Sequence, residues 1–245
     1  MPFKILYAGD SPVGGPANYL LGVLRANAIH VRHLSPAHQL STAVLRQGYD
    51  AVILSDFSRK KISAAAEDKL VRQVEGGTGL LMIGGWGSFS GPFGGWHGSR
   101  VEKLLPVTCL SRDDRTNLPG GAHVLVKTPH PMFGALSFDN PPVILGLNDV
   151  RPSKKSQVVL VARKIVSVGP RLILDPFEHP LFVIDPDPKR RIAAFTTDVA
   201  PHWCGGLLDW GRRSVSLPVN RKIQIEIGDS YLRFLSSMIR WLVRK

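Results

Sequence analysis

Three short segments in the first ninety residues are apolar almost without interruption, and segments with helical periodicity lie between them. The apolar segments are residues 4–8, 50–55 and 79–85, and helical patterns cover residues 16–26 and the stretch that begins at Ser63. Strands that are apolar on both faces must be covered on both sides, which is typical of parallel sheets with alternating helices. The sequence therefore predicts an α/β fold, a parallel sheet with helices on both faces, in which the carboxyl ends of the strands meet at one edge.

The rest of the chain shows weaker or different patterns. Residues 28–33 alternate with period two, as an edge strand does, and residues 36–47 predict a helix that follows a serine. In the second half, strands are predicted near residues 123–127 and 157–162, among many turn residues. A final amphipathic helix begins near Asp229. The sequence thus predicts a β-rich excursion in the second half, before a helix that packs on the core.

The chain is strongly basic. Its 31 lysines and arginines against 19 acidic residues give a net charge of +12, which favours anionic partners but does not determine a fold. The basic residues are scattered, for example at residues 59–61, 189–191 and 212–213, and aromatic residues are not interleaved with them. Because nucleic-acid sites gather such residues on one surface, the pattern favours a solvated basic surface and does not favour nucleic-acid binding.

The cysteines and the apolar segments bear on where the protein works. The two cysteines, Cys109 and Cys204, are too few for a disulfide framework or a four-thiolate metal site. No apolar run approaches the ~20 residues that cross a bilayer, and the first residues lack the long apolar core of a signal peptide. We therefore expect a cytoplasmic protein with reduced thiols and no membrane partner.

Two titratable side chains, Asp198 and His202, come directly after an apolar strand and are followed by Trp203. Asp10 ends the first apolar strand and Asp56 ends the second. The same sheet edge should therefore collect Asp10, Asp56, the loop at residues 84–98 and Asp198. Asp198 could orient His202 as an acid–base group, or the two could bind a metal with Asp10 or His97 as a third ligand. Alternatively, Asp198 caps the turn and His202 packs beneath Trp203. The sequence leaves these alternatives open.

A glycine-rich segment follows the third apolar strand. It contains Gly84, Gly85, Gly87 and Ser88, with His97 further along. Glycines let backbone amides approach an anion or oxyanion, and a serine at a strand-to-helix turn can be a nucleophile, although the spacing matches neither the hydrolase elbow nor the dinucleotide-binding fingerprint. The segment is thus predicted to be a ligand-binding loop, a turn with a nucleophilic serine or a structural turn, and its histidine could close over a ligand.

Three motifs stand out together: the glycine-rich loop at residues 84–91, the His-Pro-Met-Phe tetrapeptide at residues 130–133, and the Phe-Thr-Thr-Asp…Pro-His-Trp stretch at residues 195–203. With them, the chain resembles the putative glutamine amidotransferase-like family of the class I glutamine amidotransferase-like superfamily. Relatives of that family include the trehalose-utilisation (ThuA-like) proteins. The resemblance implies a flavodoxin-like parallel sheet with added β-structure, in a single domain over residues 1–245.

The chain departs from the superfamily in two places. Class I amidotransferases carry a cysteine at the elbow after a central strand, where this chain has Ser88. They also carry a downstream His-x-Glu pair, which occurs nowhere in this sequence. The resemblance therefore implies an amidotransferase-like cytoplasmic protein without glutaminase activity.

The leading hypothesis is a site at the carboxyl edge of the sheet that binds a small polar or anionic ligand, with no cofactor and no metal. The predicted ligand-binding residues are Asp10, Gly84, Gly85, Gly87, His97 and Trp203, and the residues that could act catalytically are Ser88, Asp198 and His202. One alternative is a hydrolase with Ser88 as nucleophile and His202 as base. Another is a non-enzymatic assembly protein, which could form a homo-oligomer.

Overall fold

The computed structural model describes residues 2–11 and 15–243, and its centre is a ten-stranded mixed sheet. Fourteen strands occur within the described residues. In chain order they are β1 (Lys4–Gly9), β2 (His30–Leu34), β3 (Ala51–Ser55), β4 (Gly79–Ile83), β5 (Val107–Cys109), β6 (Arg115–Val126), β7 (Val143–Asn148), β8 (Val150–Pro152), β9 (Gln157–Val168), β10 (Arg171–Leu174), β11 (His179–Ile184), β12 (Ile192–Phe195), β13 (Ser214–Pro218) and β14 (Gln224–Gly228).

One half of the sheet is parallel. Its strand order is β2–β1–β3–β4–β12, and each neighbouring pair runs in the same direction. This is the order of flavodoxin-like folds, so the predicted parallel sheet is confirmed. β2 lies at the edge of the sheet, as its alternating sequence predicts.

Helices cover both faces of this half. They are α1 (Ala17–Ala26), α2 (Thr42–Leu45), α3 (Ala64–Glu75), α4 (Pro201–Cys204) and α5 (Asp229–Val243). Successive strand residues point to opposite faces: Tyr7 belongs to the core that contains α1 and α5, whereas Leu6 belongs to the core that contains α2 and α3. The predicted helices on both faces are confirmed. None of the helices in the described residues is both long and apolar enough to cross a membrane.

The other half of the sheet is antiparallel. β12 is followed by β11, β9, β6 and β7, and β10 forms a hairpin with β9. The strands predicted near residues 123–127 and 157–162 lie in β6 and β9. At the turn of the β9–β10 hairpin, Gly169 has a left-handed backbone with φ of 59°, which favours glycine. The predicted β-rich excursion in the second half is thus confirmed.

The helix predicted over residues 36–47 is wrong over most of that length. Only α2 is helical there, and the Ser41 hydroxyl caps it by accepting a hydrogen bond from the backbone N–H of Val44 at 3.4 Å. Leu40 is fully buried and forms a parallel bridge with Ile62. Because this tertiary pairing holds Leu40 outside a helix, α2 begins only after it.

The direction of winding reverses between β1 and β3, because β1 connects to β2 on one side and β3 connects to β4 on the other. Ligand crevices of open α/β sheets form at such a point. The two strands end close together: a Cβ atom on Gly9 would overlap the backbone carbonyl of Ser55, and the N–H of Asp10 donates to that carbonyl at 3.1 Å. Asp10 and Asp56 follow with left-handed φ angles of 45° and 50°. This edge therefore holds two acidic residues in uncommon backbone conformations.

Candidate functional site

A cavity of about 470 Å³ lies at the carboxyl edge of the parallel strands. Its walls come from segments that follow different strands: Tyr19 in α1, Asp56 after β3, Trp86 after β4, and Asp198 and His202 after β12. We call this cavity the acidic cleft and define it by these five residues. Its volume lies within the range of small-molecule sites.

The structure divides the predicted site residues into two groups. Those that line the acidic cleft are Gly85, Asp198, His202 and Trp203. Those that do not line it are Asp10, Gly84, Gly87, Ser88 and His97. The polar atoms of the second group form hydrogen bonds with other parts of the protein. These residues therefore lie near the sheet edge in sequence but do not line the acidic cleft.

Asp198 is held at the start of the loop that leads into α4. Its Oδ1 accepts hydrogen bonds from the backbone N–H groups of Val199 at 2.6 Å and Ala200 at 3.1 Å. Burial raises the pKa of Asp198 well above its usual value, and the negative charges of Asp10 and Asp56 raise it further. The predicted alternative in which Asp198 caps this turn matches the observed hydrogen bonds, and the carboxyl group lines the cleft as well. The second part of that alternative, in which His202 packs beneath Trp203, is wrong, because His202 is exposed.

Asp10 is 2 % exposed and accepts a hydrogen bond from the Tyr7 hydroxyl. Burial raises the pKa of Asp10 to about 7, although the hydroxyls of Tyr7 and Ser55 oppose the shift. A carboxyl group with that pKa is partly protonated at neutral pH. Asp10 does not line the acidic cleft, and it affects the cleft through its negative charge, which raises the pKa of Asp198.

Asp56 explains why glycines follow β4. The backbone N–H of Gly87 donates to Oδ1 of Asp56. A Cβ atom on Gly85 would lie 2.7 Å from that same Oδ1, and a Cβ atom on Gly87 would lie 2.8 Å from the Asp56 backbone. Burial raises the pKa of Asp56, while the Gly87 hydrogen bond lowers it. The loop after β4 is thus built to wrap around an acidic side chain of the protein itself.

The backbone amides of Gly84 and Gly85 also form hydrogen bonds within the protein. The N–H of Gly84 donates to the backbone carbonyl of Phe195 at 2.7 Å, and the N–H of Gly85 donates to Oδ1 of Asn148 at 2.9 Å. The sequence predicts that such amides could approach an anion. In the structure, the carboxylate of Asp56 is an anion that already occupies one of them.

Ser88 is buried behind the loop. Its hydroxyl donates to the carbonyl of Ile83 and accepts a hydrogen bond from the backbone N–H of Asp56 at 3.0 Å. His202 is exposed and lines the cleft. Within the described residues, no hydrogen bond joins Ser88 to His202. The observed hydroxyl contacts fasten β4 to the end of β3.

His97 lies away from the acidic cleft. Its Nδ1 is 3.1 Å from the carbonyl oxygen of Cys109 and 3.7 Å from Oε1 of Glu102, and its ring is half-exposed. The preceding Trp96 is fully buried, and its Nε1 donates to the carbonyl of Phe57 at 2.9 Å. Trp96 therefore anchors the end of the loop and directs His97 toward β5.

Trp203 combines a packing role with a place in the cleft wall. Its Nε1 donates to Oδ1 of Asn117 at 3.2 Å, and its ring lies so close to β7 that a Cβ atom on Gly146 would overlap it. The loop beneath it is fixed by Tyr231 of α5, whose hydroxyl donates to the carbonyl of Val199 at 2.7 Å. These contacts hold the segment that carries Asp198 and His202 in one position.

Sequence reasoning missed a buried pair behind the glycine loop. The side-chain amide of Asn148 donates to Oδ1 of Asp114 at 2.7 Å, and the N–H of Ser90 donates to Oδ2 at 2.7 Å. Burial raises the pKa of Asp114 to about 6. A polar residue at the end of an apolar strand, as Asn148 is at the end of β7, is the signal that could have found this pair.

Within the described residues, no group of three or more histidine, cysteine, aspartate or glutamate side chains is arranged to hold a metal ion. The alternative in which Asp198 and His202 share a metal with Asp10 or His97 therefore has no complete ligand set in this part of the chain. The arrangement that exists is a set of desolvated carboxyl groups around a cavity.

Comparison with known proteins places the chain in a family by sequence. A family model described as putative glutamine amidotransferase matches residues 12–220. No curated protein matches the chain.

Solved structures share the fold. The cytoplasmic protein STM3548 from Salmonella typhimurium is 23% identical with a TM-score of 0.71, over 99% of this chain and 100% of that one. The cytoplasmic protein STM1381 from Salmonella typhimurium LT2 is 23% identical with a TM-score of 0.70, over 98% of this chain and 99% of that one. A protein from Bacteroides uniformis ATCC 8492, described as a putative thua-like protein, is 13% identical with a TM-score of 0.58, over 98% of this chain and 91% of that one. At these identities the similarity establishes the fold alone.

Proposed function

We propose that this chain, which belongs to the family described as putative glutamine amidotransferase, binds a small uncharged polar molecule in the acidic cleft. The observation that carries the proposal is that Asp10, Asp56 and Asp198 each follow a parallel strand at the carboxyl edge of the sheet, and each has a pKa raised by burial. Buried carboxyl groups with raised pKa values are costly for folding and are characteristic of functional sites. Ligand binding is a function that accounts for this cost in folding free energy.

The charges of the cleft support an uncharged ligand over an anionic one. Within the described walls, no lysine or arginine accompanies Asp56 and Asp198. An anion would meet like charges at a desolvated surface and would raise their pKa values further. Hydroxyl and amide groups can donate to an ionised carboxylate and can also accept from a protonated one.

The aromatic side chains of the cleft support a ligand with apolar faces as well as hydroxyl groups. Trp86 is 41% exposed at the rim, and the Arg115 guanidinium lies 4.3 Å from the centroid of its ring, which limits its movement. Tyr19 of α1 also lines the cleft. Sugars and other polyols present hydroxyls along their edges and C–H groups on their faces, so we propose a ligand of this class.

Glutamine hydrolysis is not part of the proposal. A thiol must ionise to act as a nucleophile, yet burial raises the pKa values of both Cys109 and Cys204. The hydroxyl of Ser88, which follows β4, is engaged with the carbonyl of Ile83. These contacts support a protein that keeps the amidotransferase-like fold without the thiolate chemistry. They also favour binding over the hydrolase alternative with Ser88 and His202.

A cytoplasmic location completes the proposal. It is supported by the two Salmonella proteins of similar fold, which are described as cytoplasmic proteins.

The proposal is tested by calorimetric titration of the protein with a panel of sugars, polyols and free glutamine. We expect a polyol or sugar to bind, and Asp198→Asn to weaken that binding by about tenfold or more, because removal of one good polar contact in a desolvated site costs at least about 1.4 kcal/mol. The asparagine oxygen can still accept from Val199 and Ala200, so the loop should keep its shape. Asp209→Asn, at an exposed aspartate of the same segment, is the matched control and should bind as the wild type does.

The same titration can overturn the proposal. Binding that is equally strong in wild type and Asp198→Asn would remove the acidic cleft as the site. Release of ammonia from glutamine by the wild-type protein, lost in a Ser88→Ala or Cys204→Ser variant, would restore an amidotransferase or hydrolase function.

A further inference from the structure

A second cavity, of about 570 Å³, lies beside the beginning of α5. We call it the arginine cleft and define it by Trp210, Arg212, Arg213, Asp229 and Arg233. Among the described residues that line the cavity, three carry guanidinium groups and one carries a carboxylate. The lining carries two positive charges in excess, and arginine stays charged at any physiological pH.

The carboxylate of Asp229 binds groups of the arginine cleft itself. Oδ1 of Asp229 accepts the backbone N–H of Arg212 at 2.9 Å, while Oδ2 lies 3.2 Å from Nη2 of Arg233 and 3.8 Å from Nε of Arg213. Within the described residues, the guanidinium of Arg212 has no acidic partner. Asp229 therefore fixes the backbone and orients two arginines without neutralising the cluster.

One wall of the arginine cleft is aromatic and well supported. The ring of Trp210 packs against Phe138 at 5.0 Å and against Phe234 at 6.2 Å between centroids. Leu136 continues this apolar wall. The polar residues Ser137, Asn140 and Ser230 also line the cavity, and the hydroxyl of Ser230 accepts a hydrogen bond from Nη2 of Arg233 at 3.4 Å. The cavity thus combines a planar apolar surface with a cationic rim, which a simple solvated basic surface lacks.

We infer that the arginine cleft binds a small organic phosphate. The fork of N–H donors in a guanidinium matches the oxygens of a phosphate group and binds it in a bidentate manner. A phosphomonoester carries a charge of about −1.5 to −2 at neutral pH, which matches the two excess positive charges. The aromatic wall then lies against the organic part of the molecule, and the volume is sufficient for a ligand of this size.

The inference concerns a site apart from the acidic cleft. The five residues that define the arginine cleft lie in the segment after α4 and in the first two turns of α5, and a hydrogen bond from the N–H of Ser230 to the carbonyl of Trp210 at 3.1 Å joins these two parts. None of the residues that define it lines the acidic cleft. The failure of one site in an experiment therefore leaves the other to be judged separately.

The test uses adenosine 5′-monophosphate and adenosine, two ligands that differ only in the phosphate group. Calorimetry on the intact protein should show binding of the monophosphate, with adenosine at least about tenfold weaker. Arg212→Gln should weaken binding of the monophosphate by at least about tenfold. Arg171→Gln removes an exposed arginine at the β9–β10 hairpin and is the matched control for net charge, so it should leave the affinity unchanged.

Equal affinity for the two ligands, or equal losses in Arg212→Gln and Arg171→Gln, would overturn the inference, because either result means attraction to the basic protein as a whole. If Arg212→Gln fails to fold, Arg213→Gln replaces it, since that side chain is 80% exposed. An independent measurement is the NMR resonance of the Trp210 indole N–H, assigned with Trp210→Phe. It should shift on addition of the monophosphate, and a resonance that stays in place would equally overturn the inference.

Discussion

The acidic cleft and the arginine cleft are formed in part by neighbouring segments of the chain, yet the pKa of an aspartate is shifted in opposite directions in the two clefts. Asp198 in the acidic cleft has a pKa raised by burial and by other carboxylates. Asp229 in the arginine cleft has a pKa lowered, first by the N–H of Arg212 and then by the charges of Arg233 and Arg213. The same side-chain type is therefore driven toward the protonated form in one cleft and held ionised in the other.

The difference follows from burial and partners rather than from the number of charges. The carboxyl groups at the sheet edge are largely removed from water, and their hydrogen bonds do not fully offset the resulting rise in pKa. The arginines stand at the surface, where water and one aspartate compensate them. A protein with a net charge of +12 thus has one cavity lined by carboxyl groups and another lined by arginines.

The largest expected effect comes from a substitution that changes the lining of the acidic cleft and leaves the arginine cleft unchanged. In Gly85→Ala the new Cβ atom would lie 2.7 Å from Oδ1 of Asp56 at a φ of 149°, so we expect a loss of about 2–4 kcal/mol in the free energy of unfolding. Urea denaturation measures this loss. Gly48→Ala is the control, because Gly48 has a φ of 63° with nothing within 4 Å, and it should cost only about 1 kcal/mol.

In Gly85→Ala, binding in the acidic cleft should also be lost while nucleotide binding in the arginine cleft persists. A variant as stable as Gly48→Ala would show that the close approach of Gly85 to Asp56 does not exist.

The next largest effect is a pH dependence of opposite sign at the two clefts. The pKa of Asp10 is raised from 3.8 to about 7 in the folded state, so the folded protein holds a proton that the unfolded chain releases between these values. Stability should therefore fall as the pH rises through that window. Asp10→Asn should raise the free energy of unfolding by about 1–4 kcal/mol near pH 8 and change it little near pH 4.

For Asp229, whose pKa is lowered in the folded state, the sign is reversed. Its contribution to stability is present above the unfolded pKa and is lost as the pH falls through the folded value. Asp229→Asn should accordingly be destabilising at neutral pH and less so in acid. Parallel pH profiles of urea denaturation for the two variants test the contrast, and profiles of the same sign would contradict it.

A smaller difference between the two clefts is expected in the salt dependence of their ligand affinities. The arginines are exposed, so raising NaCl from about 50 mM to about 500 mM should weaken monophosphate binding several-fold by screening. The acidic cleft binds an uncharged ligand in our proposal, so polyol affinity should change by less than about twofold over the same range. Calorimetry of both ligands at matched salt makes the comparison, and a polyol affinity that follows salt as steeply as the nucleotide affinity would remove the distinction.

A smaller effect on polyol binding than that of Gly85→Ala is expected from the hydrogen bond that joins α5 to the loop of Asp198. Tyr231→Phe removes the hydroxyl that donates to Val199 at 2.7 Å, and it should cost about 1–2 kcal/mol because the carbonyl stays buried. Polyol affinity should fall modestly as the loop with Asp198 loosens. Unchanged stability and unchanged affinity in thermal unfolding and calorimetry would show that the bond does not position the loop.

Much of the parallel half could be predicted because its information is local. An apolar strand such as β4 carries its burial pattern in its own residues, and the first polar residue after a parallel strand falls at a known edge. Asp198, His202 and Trp203 follow β12 directly, and they line the acidic cleft as that rule predicts.

The parts that could not be predicted depend on which distant groups meet. Nothing near Gly87 in the sequence says that its amide binds Asp56, thirty-one residues earlier. Ser88 has a nucleophile's place in the sequence, but tertiary contacts bury its hydroxyl. Arg212 and Arg233 appear as scattered basic residues until the β13–β14 hairpin returns the chain and places them on one cavity.

The most direct measurement is the titration of individual aspartates by ¹³C NMR of their carboxyl carbons, assigned with Asp10→Asn and Asp198→Asn. We expect a midpoint near 7 for Asp10 and an elevated midpoint for Asp198, and both midpoints should move when a polyol binds. If both carboxyl groups titrate near their ordinary value of about 4 and ignore every uncharged ligand, the acidic cleft is not the binding site described here.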